Sequence, residues 1–131
     1  MIHIYTDGGA NLTGHMAWAA MRADTDIRTS SWWYGTNQDA EIHGIIAGLT
    51  LTPQGSRVTI HTDSKFAIGV CSGRFKNILP KFQDLMAIYY QEVLTMNLIV
   101  YYQLVKGHAG IPENEWCDHE CQRLLRLARS G

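Results

Sequence analysis

Four carboxylates, Asp7, Glu41, Asp63 and Asp118, are spread over the whole chain, yet each falls where one predicted element meets the next. Asp7 closes a first strand and Asp63 a fourth. Glu41 lies one turn into the first helix, and Asp118 within the first two turns of the last. Taken singly, each has an ordinary explanation. An Asp at a strand end forms turns or caps a helix, and a Glu in a first helical turn complements the helix dipole. Taken together they mean more. If the first and fourth strands are parallel neighbours, Asp7 and Asp63 emerge at the same end of the sheet, where open α/β sheets bind ligands. The two helical carboxylates can point to the same place. Four such groups without basic partners repel one another unless divalent cations neutralise them. An all-oxygen donor set suits Mg²⁺ or Mn²⁺ rather than zinc. The natural chemistry of such a centre is phosphodiester hydrolysis between two cations ~3.5–4 Å apart.

The elements that must position these groups are legible from periodicity. Residues 1–7 read as a strand, and 15–23 and 27–35 as two more, joined by the turn Asp24-Thr25-Asp26 into an antiparallel meander. From Gln38 to Leu51 the pattern turns helical, with Ile42, Ile45, Ile46 and Leu49 on one stripe, Asn37 or Asp39 as its cap and Pro53 beyond its end. Arg57–Thr62 is a strand with Val58 and Ile60 on one face, and a helix follows Asp63-Ser64. A longer helix over 81–95 carries Phe82, Leu85, Met86, Tyr89 and Val93. Leu98–Leu104 is the fifth strand, and after a Gly-rich loop at 107–110 the last helix runs from Pro112 to Ala128. Strands reached through a helix return parallel to the first, so the expected fold is α/β, a five-stranded mixed sheet with helices packed on it.

Composition bounds the function. The chain has 131 residues, 46% hydrophobic and 18% charged, which predicts one globular domain over 1–131. It contains no apolar run of the ~20 residues a membrane span needs and no signal-peptide pattern at its start. A cytoplasmic monomer without an obligate protein partner is expected. Cys71, Cys117 and Cys121 do not form a disulfide framework, and Cys117 and Cys121, flanking His119, read as helix packing rather than a zinc clip. The net charge of −1 is unusual for an enzyme of nucleic acids. Its basic residues are nevertheless clustered, with Lys65, Arg74, Lys76 and Lys81 mid-chain and Arg123, Arg126 and Arg129 near the end; the plain reading of both clusters is a solvated surface. Alternation makes most of Trp18, Trp32, Trp33 and Tyr34 core residues rather than stacking platforms.

At this point the sequence resembles a known family. The blocks Ile4-Tyr5-Thr6-Asp7-Gly8-Gly9, Thr36-Asn37-Gln38-Asp39-Ala40-Glu41-Ile42-His43, His61-Thr62-Asp63-Ser64, Val105-Lys106-Gly107-His108-Ala109-Gly110 and Pro112-Glu113-Asn114-Glu115-Trp116-Cys117-Asp118 resemble, in order, those of type 1 ribonuclease H. The resemblance implies the sheet order 3-2-1-4-5. It also implies an endoribonuclease that cuts the RNA strand of RNA–DNA hybrids with two Mg²⁺ ions, for which Mn²⁺ substitutes, leaving 5′-phosphate and 3′-hydroxyl ends. By the same resemblance Asp7 bridges both ions, Asp118 completes the site that activates water, and Glu41 and Asp63 hold the ion near the departing oxygen. His108 assists proton transfer or product release. Asn11, Thr36, Asn37, Gln38 and Asn77 match substrate-contacting positions. Asn37 also reads as a helix cap.

The pattern departs from many relatives in three places. The turn after Asp7 is only Ala10-Asn11-Leu12-Thr13-Gly14, and Tyr34 stands where some relatives carry Arg. The stretch from Asp63 to Leu98 leaves no room for a basic, Trp-rich protrusion, and a form without a separate hybrid-binding domain is expected. Weaker, more salt-sensitive binding of the hybrid is therefore expected. Two other readings remain open: a binding module that kept the fold but lost turnover, and a related nuclease acting on another nucleic acid. A domain of a larger protein is also compatible with the sequence.

Overall fold

The computed structural model describes residues 1–107 and 109–130. Its five strands are β1 (Ile2–Ala10), β2 (His15–Arg22), β3 (Arg28–Tyr34), β4 (Arg57–Thr62) and β5 (Ile99–Leu104). The helices are α1 (Asn37–Leu49), α2 (Lys65–Cys71), α3 (Pro80–Thr95) and α4 (Pro112–Ser130). The sheet order is β3-β2-β1-β4-β5. The meander β1-β2-β3 is antiparallel, whereas β4 runs parallel to both β1 and β5. This is the mixed sheet expected from the sequence, in the expected order.

Period-two alternation assigns the two faces. Ile4 and Ala20, with Val58 and Ile60 of β4, join Ile42, Ile45 and Leu49 of α1 and Phe82, Met86 and Tyr89 of α3 in the larger core. On the opposite face Ala17, Ala19 and Met21 meet Cys117 and Cys121 of α4. Both cysteines are buried and free, as helix packing predicts. Small residues let the layers approach closely. A Cβ at Gly44 would lie 2.9 Å from the Asp7 carbonyl oxygen, and one at Gly48 would lie 2.7 Å from Ile4 Cγ2.

Three local expectations are corrected. First, β1 does not end at Asp7: Gly8, Gly9 and Ala10 continue the ladder against Trp18, Ala17 and Met16. The turn begins only at Asn11, whose Oδ1 accepts hydrogen bonds from the backbone of Thr13 and His15 and from the Thr13 hydroxyl. Second, the cap of α1 is Thr36, neither Asn37 nor Asp39. Its hydroxyl accepts from the Asp39 N–H while the Asp39 carboxylate accepts from the Thr36 N–H, a reciprocal capping box. Third, the aromatics of β3 are not core residues. Trp33 and Tyr34 are 61% and 59% exposed, and Trp18 and Trp32 are half-buried. As an edge strand, β3 lacks a neighbour on one side and is only partly covered by helices, so alternation alone does not bury its residues.

Candidate active site

The carboxylates meet at Asp7, within β1 and beside the end of β4. Asp7, 7% exposed, and Glu41, 6% exposed, each bring a carboxylate oxygen to within 4.8 Å of the other and of an oxygen of Asp63. Three elements build this triad. β1 and β4 are parallel neighbours, with Tyr5 in register with His61, so Asp7, still in the β1 ladder, and Asp63, just past the end of β4, stand side by side two residues further on. Glu41 arrives from α1, fixed by the capping box one turn earlier and by the absence of a side chain at Gly8. A Cβ there would stand 2.4 Å from the Ala40 carbonyl carbon and 2.5 Å from the Glu41 nitrogen.

Burial and mutual repulsion dominate the electrostatics. Desolvation, then the charge of Asp63, raise the Asp7 pKa to about 7; Asp118 adds to the rise, and a hydrogen bond from the Gly8 backbone works against it. Desolvation, then the charges of Asp7 and Asp63, raise Glu41 to about 9, again with Gly8 opposing. Asp118 is not one of the three within 4.8 Å, but it stands close enough to Asp7 to act on its ionisation. α4 holds it there, with the Cys117 and Cys121 thiols against the carbonyls of Tyr5 and Asp7. The Asp118 Oδ2 accepts from Gln122 Nε2 at 3.1 Å. Glu41 Oε2 is buried and has no hydrogen-bond partner among the described residues. A buried, unpaired carboxylate oxygen among other carboxylates is costly for a protein by itself. A divalent cation would supply what the site lacks, and the donor set fits a hard, oxygen-seeking ion.

The other residues singled out in the sequence divide. Gln38 and Asn77, 39 positions apart in sequence, line one cavity of about 260 Å³, with Phe66, Phe75 and Phe82 around them. Thr36 and Asn37 stand at the start of α1, and a Cβ at Gly9 would lie 3.9 Å from Asn37 Oδ1. The Asn11 side-chain oxygen Oδ1 is committed to its own turn. His108 lies outside the described residues. The sequence reading missed Gly8, whose position under α1 brings Glu41 to Asp7. It also missed the Lys81–Asp39 pair at 3.2 Å, which ties α3 to the capping box. The Gly-Gly after Asp7 was the available signal for the first; nothing local signals the second.

Comparison with known proteins agrees with this arrangement. The family model described as RNase H matches residues 1–125. The chain belongs to the RNase H family. Ribonuclease HI of Synechocystis sp. (strain ATCC 27184 / PCC 6803 / Kazusa) is 30% identical over 134 aligned positions, covering 89% of this chain and 82% of the cyanobacterial protein. The N-terminal RNase H domain of rv2228c from Mycobacterium tuberculosis, solved as a fusion with maltose-binding protein, superposes with a TM-score of 0.80 at 22% identity. That match covers 99% of this chain and 98% of the solved one. LC11-RNase H1, solved in complex with an RNA/DNA hybrid, gives a TM-score of 0.77 at 21% identity, covering 98% of this chain and 99% of that one. The fold is RNase H-like, and the triad Asp7, Glu41 and Asp63 resembles the active site of this family, whose members are normally nucleases.

Proposed function

We propose that this RNase H family member is an endoribonuclease that hydrolyses the RNA strand of RNA–DNA hybrids with two Mg²⁺ ions, for which Mn²⁺ substitutes. The reading is carried by the acidic triad, in which Asp7 and Glu41 are buried and Asp63 is exposed, and in particular by the unpartnered Glu41 Oε2. It is supported by a solved relative of the same fold that was captured with an RNA/DNA hybrid.

Asp7, Glu41, Asp63 and Asp118 are the residues that would hold the ions. When bound, such ions polarise the phosphate, lower the pKa of the attacking water and stabilise the leaving oxygen. The chain's own contribution is preorganisation. Asp7 is fixed in the β1 ladder, Glu41 is held by the α1–Gly8 contact, and Asp118 is held by the seating of α4 on β1. Groups so fixed need no reorganisation as charge develops at the phosphate. The products would carry 5′-phosphate and 3′-hydroxyl ends, with His108 assisting proton transfer or release. Thr36 and Asn37 at the start of α1, Gln38 and Asn77 on their shared cavity, and Asn11 at the turn beyond Gly9 would touch the hybrid.

The deciding experiment digests end-labelled RNA–DNA hybrid, double-stranded RNA and double-stranded DNA with the parent and with Asp7→Asn, across Mg²⁺ and Mn²⁺ concentrations. Metal-dependent cutting of the hybrid's RNA strand by the parent alone is expected. No metal-dependent cleavage by the parent leaves only a binding module. Preferential cutting of either homoduplex would move the substrate class.

A further inference from the structure

The mid-chain basic cluster seen in the sequence separates in three dimensions. Lys81 is engaged by Asp39. Lys65 and Arg74, nine positions apart, instead face one cavity of about 360 Å³, whose remaining lining is Ile68, Tyr102 and Leu104. Among the described residues the ion pairs are Lys81–Asp39 and Arg123–Glu120, and neither cation of this groove forms one.

The position of the groove gives it meaning. Lys65 is the first residue of α2, and its cap Ser64, whose hydroxyl accepts from the Ala67 N–H, directly follows Asp63. Leu104 ends β5 in register with Thr62, the residue before Asp63. The groove therefore starts beside the Asp63 corner of the acidic triad and lies along the β4–β5 side of the sheet, away from β1. Its lining combines two cations with two aliphatic side chains and one aromatic ring. A nucleic-acid backbone presents the complementary pattern, with charged phosphates alternating with less polar sugars.

We propose that this groove is a phosphodiester subsite, in which Lys65 and Arg74 hold backbone phosphate of the substrate on the Asp63 side of the scissile bond. The proposal rests on the hydrolase reading above and names where a chain of net charge −1 takes its grip. Lys65 contributes a compact charge on a flexible stem, and Arg74 a planar fork that can bind a phosphate through two N–H groups. Both are binding and positioning residues rather than catalytic ones.

The test uses the full chain, the Lys65→Gln/Arg74→Gln double variant and, as a control for bulk charge, Arg126→Gln/Arg129→Gln on α4. Steady-state cleavage of a labelled hybrid is measured at several salt concentrations. The groove variant is expected to raise KM at least tenfold with kcat within about twofold. It should flatten the log KM against log salt slope by about 2, one unit per phosphate contact removed. The control pair should change neither. A second measurement locates the contact: single methylphosphonate linkages, which remove one phosphate charge, are placed along each strand near the cut. At one position on the Asp63 side the neutral linkage should weaken the parent and leave the double variant unaffected. A groove variant with parental KM and salt slope, or a loss matched by the control pair, overturns the subsite while the hydrolase reading stands. A parent that cleaves no nucleic acid overturns both.

Discussion

The contact between Gly8 and the first turn of α1 is the tightest constraint on the triad, and replacing Gly8 by Ala tests it directly. The new Cβ would lie 2.4, 2.5 and 2.6 Å from the Ala40 carbonyl carbon, the Glu41 nitrogen and the Ala40 oxygen. Ordinary contact begins near 3.4 Å, so α1 and β1 must part by roughly 1 Å. All three clashing atoms are backbone, so no rotamer change relieves them. Overpacking of a core costs about 1–3 kcal/mol and occasionally more. A shift that also loosens Ile42, Ile45 and Leu49, each 0% exposed, belongs at the upper end, about 3 kcal/mol. For a domain of this size that corresponds to a fall in Tm of about 10 °C. Glu41 would retreat from Asp7 by a similar distance, and a misplacement of about 1 Å can cost on the order of 10²-fold in rate. Gly9→Ala is the internal control. Its Cβ would meet only side-chain atoms, Asn37 Oδ1 and Leu125 Cδ1, each at 3.9 Å, which is ordinary contact. Thermal denaturation, Mg²⁺ titration by calorimetry and hybrid cleavage read all three consequences. A Gly8→Ala protein with parental Tm and parental Mg²⁺ affinity would refute the claim that this approach sets the position of Glu41.

Other consequences can be checked in the same preparations. Asp7 and Glu41 hold their protons more tightly folded, at pKa about 7 and about 9, than their ordinary values of 3.8 and 4.5 allow when unfolded. Their contribution to stability is therefore complete below about pH 4 and is lost as pH rises through 7 to 9. Urea denaturation in EDTA should give a lower midpoint at pH 9 than at pH 6, and added Mg²⁺ should restore most of the loss at pH 9; a flat metal-free profile would contradict the burial of these charges. Thr36→Ala removes the hydroxyl half of the capping box and should cost about 1 kcal/mol in chemical denaturation. The thiols should resist a thiol-specific reagent until the protein unfolds, because burial pushes Cys71 up to about 12 and raises Cys117 and Cys121 further. Fast labelling of Cys117 or Cys121 in the native protein would show that α4 does not stay seated on the sheet.

What could be read in the sequence was what depends on local period and end signals. Asp7 and Asp63 came out as neighbours because two strands separated by a helix return parallel, and the apolar stripe of α1 followed from 3.6-residue spacing. The errors arose where the deciding fact is not local. Trp33 and Tyr34 alternate like core residues, yet their exposure is set by β3 having no partner on one side, a property of the whole sheet. Thr36, Asn37 and Asp39 are all residue types suited to a cap, and only the reciprocal bond between Thr36 and Asp39 decides among them. Lys65, Arg74, Lys76 and Lys81 look like one patch in sequence; folding sends Lys81 to Asp39 and leaves Lys65 with Arg74. Within the site, the Asp7–Glu41–Asp63 grouping was legible. The means of bringing it together was not, because a missing Cβ has no signature until the facing backbone is known.

A sheet covered by helices on both faces keeps groups on opposite helices well apart, since each layer packs about 10 Å from the next. Here Glu41 comes from the α1 face and Asp118 from the α4 face, yet Asp118 raises the Asp7 pKa and Asp7 raises that of Glu41. Small residues on each side of the sheet make this possible. Gly8, Gly44 and Gly48 let α1 close onto β1, while Ala17, Ala19, Cys117 and Cys121 let α4 close from the other side. Larger side chains at those places would bury more apolar surface and could stabilise each interface separately. They would also hold Glu41 and Asp118 away from Asp7. The chain gives up core volume around Asp7 of β1 and crowds two carboxylates, Asp7 and Glu41, into a region from which water is largely excluded. Both features oppose the stability of the metal-free fold, and both favour a site that binds divalent cations.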